Sequence, residues 1–243
     1  MAEISTQVSS SINGLTREFG VITHNLANVS TVGYKRRYNT FSKALMAQGV
    51  GATQETSDQA QLQTTFDFSQ GSFTETGRSL DFALCGKGFF VIETPQGPLY
   101  TRNGMFQLDQ NGQIVDSSGR IVAGQAGPIS LSPDMSPSQI SVSSDGNISV
   151  AGTAVGQFKL VDFKDKADQL VAAGLNCFQA PENVKPDTSG NLIVKQGFQE
   201  GSNVQMVEEL TDMIMVTRLY EANMKSLAVS KVNSKSLMSV AMG

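Results

Sequence analysis

The sequence of 243 residues contains no tryptophan, one histidine (His24) and two cysteines, Cys85 and Cys177, that are far apart. One histidine and two distant cysteines match no zinc-finger or CxxC spacing, so we expect no metal site. For the two cysteines, buried free thiols are favoured, and a disulfide between them in an oxidising compartment is the alternative. Charged residues make up 16% of the chain and the net charge is −4, without a basic cluster, which argues against a nucleic-acid partner. No apolar run approaches the ~18 residues of a membrane span. The first residues lack the basic and apolar regions of a secretory signal peptide.

The recognised catalytic motifs are also missing. Gly86-Lys87-Gly88 is not a phosphate-binding loop, because no Gly-Lys-Ser/Thr opens a helix there. Asp109, Asp116 and Asp145 stand beside turn glycines, where aspartate usually caps its own backbone. A carbohydrate-active enzyme is the alternative, and it would need paired carboxylates beside aromatic rings. We therefore expect no enzyme activity, no catalytic residue and no cofactor.

Both ends of the chain are predicted to be helical. Residues 1–31 contain no proline, and a heptad stripe begins at Ile12 and continues through Leu15, Phe19, Ile22 and Leu26. Such a seam requires a partner helix, because it cannot stay in contact with water.

The partner is predicted at residues 203–243, which contain no proline and no glycine before Gly243. Ser202 or Asn203 is the expected N-cap. Its heptad seam consists of Met206, Leu210, Met213, Tyr220, Met224 and Leu227. Further apolar residues off this seam indicate contacts with additional helices.

The middle of the chain is predicted to be β-structure. Over residues 71–202, short runs such as Phe89-Phe90-Val91-Ile92 alternate with Asn-Gly and Asp-Gly turns, which is typical of an antiparallel sandwich or barrel-like domain. The run from Gln157 to Phe163 alternates cleanly and is predicted to be one strand. The predicted fold class is thus α+β. Residues 1–31 and 203–243 form a helical assembly domain paired as a coiled-coil-like stalk, residues 32–70 form an extended connector, and residues 71–202 form a central all-β domain.

Three motifs, in order along nearly the whole chain, resemble those of the flagellar rod and hook protein family. The first comprises Asn25, Leu26, Ala27, Asn28, Thr31, Gly33 and Tyr34, followed by Lys35 and Arg36. The second comprises Leu80, Asp81, Gly86, Gly88, Phe89, Phe90, Tyr100, Thr101, Arg102 and Gly104. The third begins at Glu200 and comprises Ser202, Asn203, Val204, Met213, Ile214, Arg218, Tyr220 and Glu221.

The resemblance implies a structural, non-catalytic axial subunit of the bacterial flagellar basal-body rod. It implies helical polymerisation through the terminal helices, with copies of itself and other rod subunits, into a torque-transmitting shaft in the periplasm. It also implies passage through the flagellar type III export apparatus without a cleaved signal peptide. The motif details favour the proximal rod subunit; the distal subunit, or a hook-type or adaptor protein of the same family, is the alternative.

Overall fold

The structure, a computed structural model, describes residues 2–39, 64–131, 137–188 and 192–242. These residues form two α-helices, two 3-10 helices and nineteen short strands, which confirms the α+β class. Most of the predicted connector, residues 40–63, lies outside the described residues.

The helices are α1 (Ala2–Ala27), α2 (Met206–Met242) and the 3-10 turns Pro137–Gln139 and Lys164–Gln169. The strands are β1 (Arg37–Asn39), β2 (Thr64–Phe66), β3 (Phe73–Glu75), β4 (Phe82–Cys85), β5 (Phe89–Glu93), β6 (Leu99–Thr101), β7 (Gln107–Leu108), β8 (Ile114–Val115), β9 (Ile121–Gly124), β10 (Gly127–Pro128), β11 (Ile140–Val142), β12 (Asn147–Val150), β13 (Thr153–Gln157), β14 (Leu160–Asp162), β15 (Val171–Gly174), β16 (Cys177–Gln179), β17 (Asp187–Thr188), β18 (Ile193–Gln196) and β19 (Phe198–Glu200).

The chain divides into two compact units. A helical unit contains residues 1–27, 37–65 and 205–243, and a β-unit contains residues 28–36 and 66–204. The segment 28–36, which carries the second half of the first motif, therefore belongs to the β-unit rather than to the helix before it.

The α-helices begin and end close to the predicted positions. Helix α1 stops at Ala27, and the turn beyond it is closed by a bond from the Thr31 backbone nitrogen to the Asn28 carbonyl. Helix α2 begins at Met206, so neither Ser202 nor Asn203 is its N-cap. Its first turn is closed by a hydrogen bond from the Glu209 nitrogen to the Gln205 carbonyl. The predicted caps were wrong because both side chains have other bonds. Ser202 accepts from the Val204 nitrogen, and Asn203 bonds several main-chain groups of the β-unit.

A ten-stranded sheet forms the centre of the β-unit. Its main strand order is β15-β16-β6-β5-β9-β8-β7, with β10 on β9 and with β14 between β5 and β17. Three smaller sheets accompany it in this unit: β11-β12-β13, β18-β4 and β19-β3. Strands β1 and β2 form a further two-stranded sheet. Every pairing in the ten-stranded sheet is antiparallel, as the hairpin signals predicted.

Strand β5 is covered on both faces. Phe90 and Ile92 belong to one apolar cluster, whereas Phe89 and Val91 belong to another. Because side chains alternate along a strand, each cluster packs against one face of the sheet. A strand buried on both faces reads as a continuous apolar run, which is what this segment of the sequence shows.

The predicted strand from Gln157 to Phe163 is interrupted. Strand β13 ends at Gln157 and β14 begins at Leu160. Between them the Phe158 nitrogen bonds the Gly146 carbonyl and the Lys159 nitrogen bonds the Ala123 carbonyl. The chain changes its hydrogen-bonding partners at this point. The alternation of apolar and polar residues therefore extends over two strands instead of one.

Candidate functional site

A buried carboxylate lies at the centre of the most unusual polar cluster in the β-unit. Glu200 Oε1 is 2.7 Å from Lys35 Nζ, and neither side chain is exposed to solvent. Lys35 Nζ also donates to the Ser69 carbonyl at 2.5 Å, and the Gly71 nitrogen donates to Glu200 Oε1 at 3.1 Å. Charged groups are rarely buried unless they are paired and hydrogen-bonded, and here both conditions hold.

A second cation completes the cluster. Arg102 Nε is 3.0 Å from Glu200 Oε2, and the arginine side chain is 3% exposed. Its Nη1 donates to the carbonyls of Gly86 and Gly88 at 2.8 and 2.6 Å. Two cations therefore enclose one carboxylate. We call Lys35, Arg102 and Glu200 the charged junction.

Burial shifts the titration of both cations in the charged junction. Desolvation lowers the pKa of Lys35, and the neighbouring Glu200 carboxylate partly offsets this effect. Desolvation likewise lowers the pKa of Arg102, again against the attraction of Glu200. The groups bond one another and the main chain, an arrangement suited to holding chain segments together.

The charged junction is surrounded by main-chain bonds from the same segments. The Gly33 nitrogen donates to the Glu200 carbonyl at 2.7 Å, and the Arg36 nitrogen donates to Asn203 Oδ1 at 2.7 Å. Gly33 has φ +68°, and a Cβ added there would meet the main-chain nitrogen of Asn103 at 2.5 Å. Glycine is thus required both by its conformation and by the close approach of another chain segment.

Parts of all three motifs therefore meet in the β-unit. The first supplies Gly33 and Lys35, the second supplies Arg102, and the third supplies Glu200 and Asn203. Gly33, Arg102 and Asn203 are among the predicted site residues, whereas Lys35 and Glu200 are not. Lys35 begins the basic run Lys35-Arg36-Arg37 and is not distinguished within it, whereas Glu200 is the only charged residue between Lys195 and Glu208.

Most other predicted residues of the second motif are core or turn residues. Leu80, Phe89, Phe90 and Tyr100 are buried in the two apolar clusters. The remaining polar members are hydrogen-bonded: Asp81 accepts from Arg78, Thr76 and Gln199, and Thr101 Oγ1 donates to the Asn176 carbonyl. A Cβ on Gly104 would collide with the Phe82 carbonyl.

The helical unit has its own buried polar cluster. Asn25 Nδ2 on α1 donates to Glu209 Oε2 on α2 at 3.2 Å, and the two residues are 1% and 0% exposed. The Asn25 side chain also makes two hydrogen bonds with the main chain of Arg37. Its Nδ2 donates to the Arg37 carbonyl at 2.8 Å, and its Oδ1 accepts from the Arg37 nitrogen at 2.9 Å. Nearer the other end of α1, Asn223 Nδ2 donates to Ser11 Oγ at 3.1 Å.

The face of α2 that is turned towards α1 is not the predicted seam. Glu209 and Val216 are buried, and Asn223 reaches Ser11, so this face lies one residue before the predicted positions. The predicted residues Met206, Leu210, Tyr220 and Met224 are exposed, while Met213 and Leu227 are half-buried. The prediction chose the wrong stripe because α2 carries apolar residues on several faces.

On α1 the predicted seam is closer to the observed one. Ile22 is buried, Ile12, Leu15 and Leu26 are half-buried, and Phe19 is 43% exposed. The first motif is divided between units: Asn25, Leu26 and Ala27 lie in the helical unit, and Asn28, Thr31, Gly33 and Tyr34 lie in the β-unit.

The remaining apolar side chains of α2 form a large exposed surface. Its members are Met206, Val207, Leu210, Ile214, Met215, Leu219, Tyr220, Met224, Val229 and Val232, each at least 39% exposed. The predicted site residues Arg218 and Glu221 are exposed on the same helix. We call these ten apolar residues the α2 apolar surface.

Two of the three aspartates beside turn glycines, Asp109 and Asp116, cap their own turns as predicted, whereas at the turn of Asp145 the Asn147 nitrogen donates to Ser143 Oγ. Asp109 Oδ1 accepts from the nitrogens of Asn111 and Gln113, and Asp116 Oδ1 accepts from those of Ser118 and Arg120. Within the described residues no group of three or more His, Cys, Asp or Glu side chains is arranged to hold a metal ion. In the same part of the chain, neither helix has the length and apolar character needed to cross a membrane.

Comparison with known proteins gives matches over most of the chain. The family model described as flagellar hook protein FlgE/F/G D1 domain matches residues 83–150, and that described as flagellar basal body rod FlgEFG protein C-terminal matches residues 195–240.

Individual relatives match along nearly their full length. Flagellar basal-body rod protein FlgG of Buchnera aphidicola subsp. Acyrthosiphon pisum is 35% identical over 236 residues, covering 86% of this chain and 88% of the relative. FlgG of Bacillus subtilis is 32% identical, covering 91% and 92%. Flagellar basal-body rod protein FlgF of Caulobacter vibrioides is 31% identical, covering 88% and 87%.

Proposed function

The chain belongs to the flagellar basal-body rod protein family, and from this premise we propose that it is a structural axial subunit of the rod. The subunit polymerises helically with copies of itself and with other rod subunits, and it acts mechanically rather than as an enzyme. The relatives include both FlgG and FlgF proteins, so assignment to the proximal rather than the distal rod stays a prediction.

The observation that carries this proposal is the α2 apolar surface. Soluble monomers rarely expose contiguous apolar patches larger than a few hundred Å², and larger ones mark interaction sites. Here Val207, Ile214 and Met215 are 77%, 56% and 58% exposed along one helix. Neighbouring subunits that cover these residues would gain roughly 25 cal/mol for each Å² of apolar area removed from water.

The terminal helices, paired as a coiled-coil-like stalk, are the element that we propose to assemble. The bonds Asn25–Glu209 and Ser11–Asn223, which connect α1 with α2, support a paired arrangement. The off-seam apolar residues then remain for contacts between subunits. A contact between different surfaces of identical subunits extends into an open helical filament when its rotation does not close, which is the geometry a shaft requires.

The β-unit supplies the rigid body of the subunit in this proposal. Its charged junction ties chain segments that are far apart in sequence, which suits a part that transmits torque. We place the working subunit in the periplasmic part of the basal body, delivered by the flagellar type III export apparatus. Both statements follow from the family resemblance and are part of the proposal.

The decisive variant is Leu210→Asp. Leu210 is 43% exposed in the single chain, so a charge there should change the stability of the monomer by less than ~0.5 kcal/mol. The same charge within a dry contact between subunits would be unsatisfied and should abolish rod assembly and motility. Ile22→Asp is a weaker test, because Ile22 is 2% exposed and its loss would damage the helical unit itself.

Thr16→Asp is the control, since it adds the same charge at an exposed position of α1 that lies outside the α2 apolar surface and outside the predicted α1 seam. Motility and the recovery of basal bodies are measured for both variants, with secretion of the subunit measured separately. The proposal fails if Leu210→Asp is exported normally and still builds normal rods.

A further inference from the structure

The two hydrogen bonds between α1 and α2 share one alignment. Ser11 and Asn25 are two heptads apart on α1, and Glu209 and Asn223 are two heptads apart on α2. Both bonds therefore report the same antiparallel register. Halfway between them Glu18 is level with Val216, which is buried.

Apolar contacts alone do not distinguish this register from a neighbouring one. The α1 side chains turned inwards recur at heptad spacing, and α2 has apolar residues on most of its surface. A slip of one heptad keeps the same faces together and changes only which residues are level. Polar groups within an apolar helix contact are a well-attested device for fixing such a register.

We propose that Ser11, Asn25, Glu209 and Asn223 set the register of the terminal helices, and that buried Glu209 is the main determinant. Sliding the helices by one heptad in one direction brings Glu209 level with Glu18, so two carboxylates would face each other. Sliding in the other direction brings Asn25 level with Val216 and moves Glu209 beyond Ala27, where α1 ends. The observed register is the one that gives each of these polar groups a partner.

The backbone beside α1 strengthens the effect. Asn25 bonds both main-chain groups of Arg37, and Glu18 Oε2 accepts from Asn39 Nδ2 at 2.8 Å. Strand β1 is therefore fixed to α1 by two side chains one heptad apart. Any slide of α2 therefore takes place relative to α1 and β1 together. This inference concerns the single chain and does not depend on rod assembly.

Disulfide trapping in the full chain tests the register. Gly14 and Tyr220 lie three residues inward from Ser11 and Asn223, so cysteines at these positions are level in the observed register. Gly14 and Met213 become level only after the slip that opposes Glu18 and Glu209. A Cβ at Gly14 would meet nothing within 4 Å, so a cysteine fits there without a collision, and a disulfide, whose Cβ atoms lie about 3.5–4.5 Å apart, forms as the level positions approach each other. Cys85 and Cys177 are first replaced by serine, and intramolecular disulfides are quantified by mass spectrometry at low protein concentration.

In the otherwise unchanged chain we expect the 14–220 disulfide to form and the 14–213 disulfide to be rare. Glu209→Leu/Asn223→Leu removes the polar partners on α2 and leaves α1 and β1 intact. We expect it to raise the 14–213 disulfide about tenfold, because an unsatisfied buried polar group shifts an equilibrium by roughly that factor. The matched control, Glu208→Leu/Lys225→Leu, changes two exposed polar residues of the same helix and should leave the yields unchanged.

The proposal is overturned if the double leucine variant keeps its helical circular dichroism and still forms only the 14–220 disulfide. If that variant loses its helical signal, Glu209→Gln decides. The amide keeps the size of the side chain but no longer opposes the Glu18 carboxylate after the slip, so the 14–213 disulfide should rise; an unchanged ratio of the two disulfides would also overturn the proposal.

Discussion

Replacing the Glu200 carboxylate by an amide should destabilise the β-unit more than any exposed change of the same kind. In Glu200→Gln, the amide oxygen can accept from Lys35, but the amide nitrogen then faces Arg102 Nε. In the natural chain Arg102 Nε lies 3.0 Å from Glu200 Oε2, the oxygen that this nitrogen replaces. If the amide rotates by 180°, its nitrogen faces Lys35 Nζ instead, so two hydrogen-bond donors still face each other. Both cations stay buried, and the carboxylate charge that compensated them is gone.

The expected magnitude follows from burial. Removing one partner of a buried ion pair typically costs about 3–5 kcal/mol. At roughly 2–4 °C for each kcal/mol in a unit of this size, the melting temperature should fall by roughly 6–20 °C. Lys35→Met should be milder, because Glu200 then keeps Arg102 and the surplus buried positive charge disappears.

The matched control is Asp187→Asn, which makes the same carboxylate-to-amide change in the pair Lys164–Asp187. That pair has nearly the same length as Lys35–Glu200, 2.8 Å, but its side chains are 71% and 56% exposed. Exposed pairs contribute about 0–1 kcal/mol, so its melting temperature should fall by less than ~4 °C. Calorimetry of the purified full chain measures each variant. Equal shifts for Glu200→Gln and Asp187→Asn would refute the assignment of the charged junction as a stabilising centre.

Three further predictions use single residues. Gly33→Ala should lower the free energy of unfolding of the β-unit by more than ~1 kcal/mol, because Gly33 has φ +68° and an added Cβ would collide with the main chain. The loss should exceed that of Gly119→Ala, since Gly119 has a similar φ of +76° but open space around it; urea unfolding compares the two variants. Burial and a nearby arginine lower the pKa of His24, so the unfolded chain binds its proton more readily. The helical unit should therefore lose stability as pH falls below about 6.5, and His24→Gln should reduce this loss in thermal melts at pH 7.5 and 5.5. Burial raises the pKa of the Cys177 thiol, although Arg120 acts in the opposite direction. At neutral pH Cys177 should therefore be alkylated more slowly than half-buried Cys85. Peptide mass spectrometry measures both rates, and equal rates would contradict this reasoning.

Elements whose signals are local could be predicted from the sequence. Proline-free heptad segments predicted α1 and α2, and turn pairs with β-branched runs predicted most strands, because helix and hairpin formation depend on residues a few positions apart. The capping role of Asp109 and Asp116 was equally predictable, since both the side chain and the turn lie within one short segment.

The pairs of residues that come into contact across the chain were not predictable from the sequence. Lys35 and Glu200 are 165 residues apart, and no local pattern distinguishes them from surface charges until the β-unit encloses them. Likewise, the face of α2 that is turned towards α1 could not be chosen from its heptads, because a helix with several apolar faces offers several equivalent seams. Glu209 settles that choice, since a buried carboxylate tolerates only the alignment in which it is hydrogen-bonded, and its partner Asn25 lies at the other end of the chain.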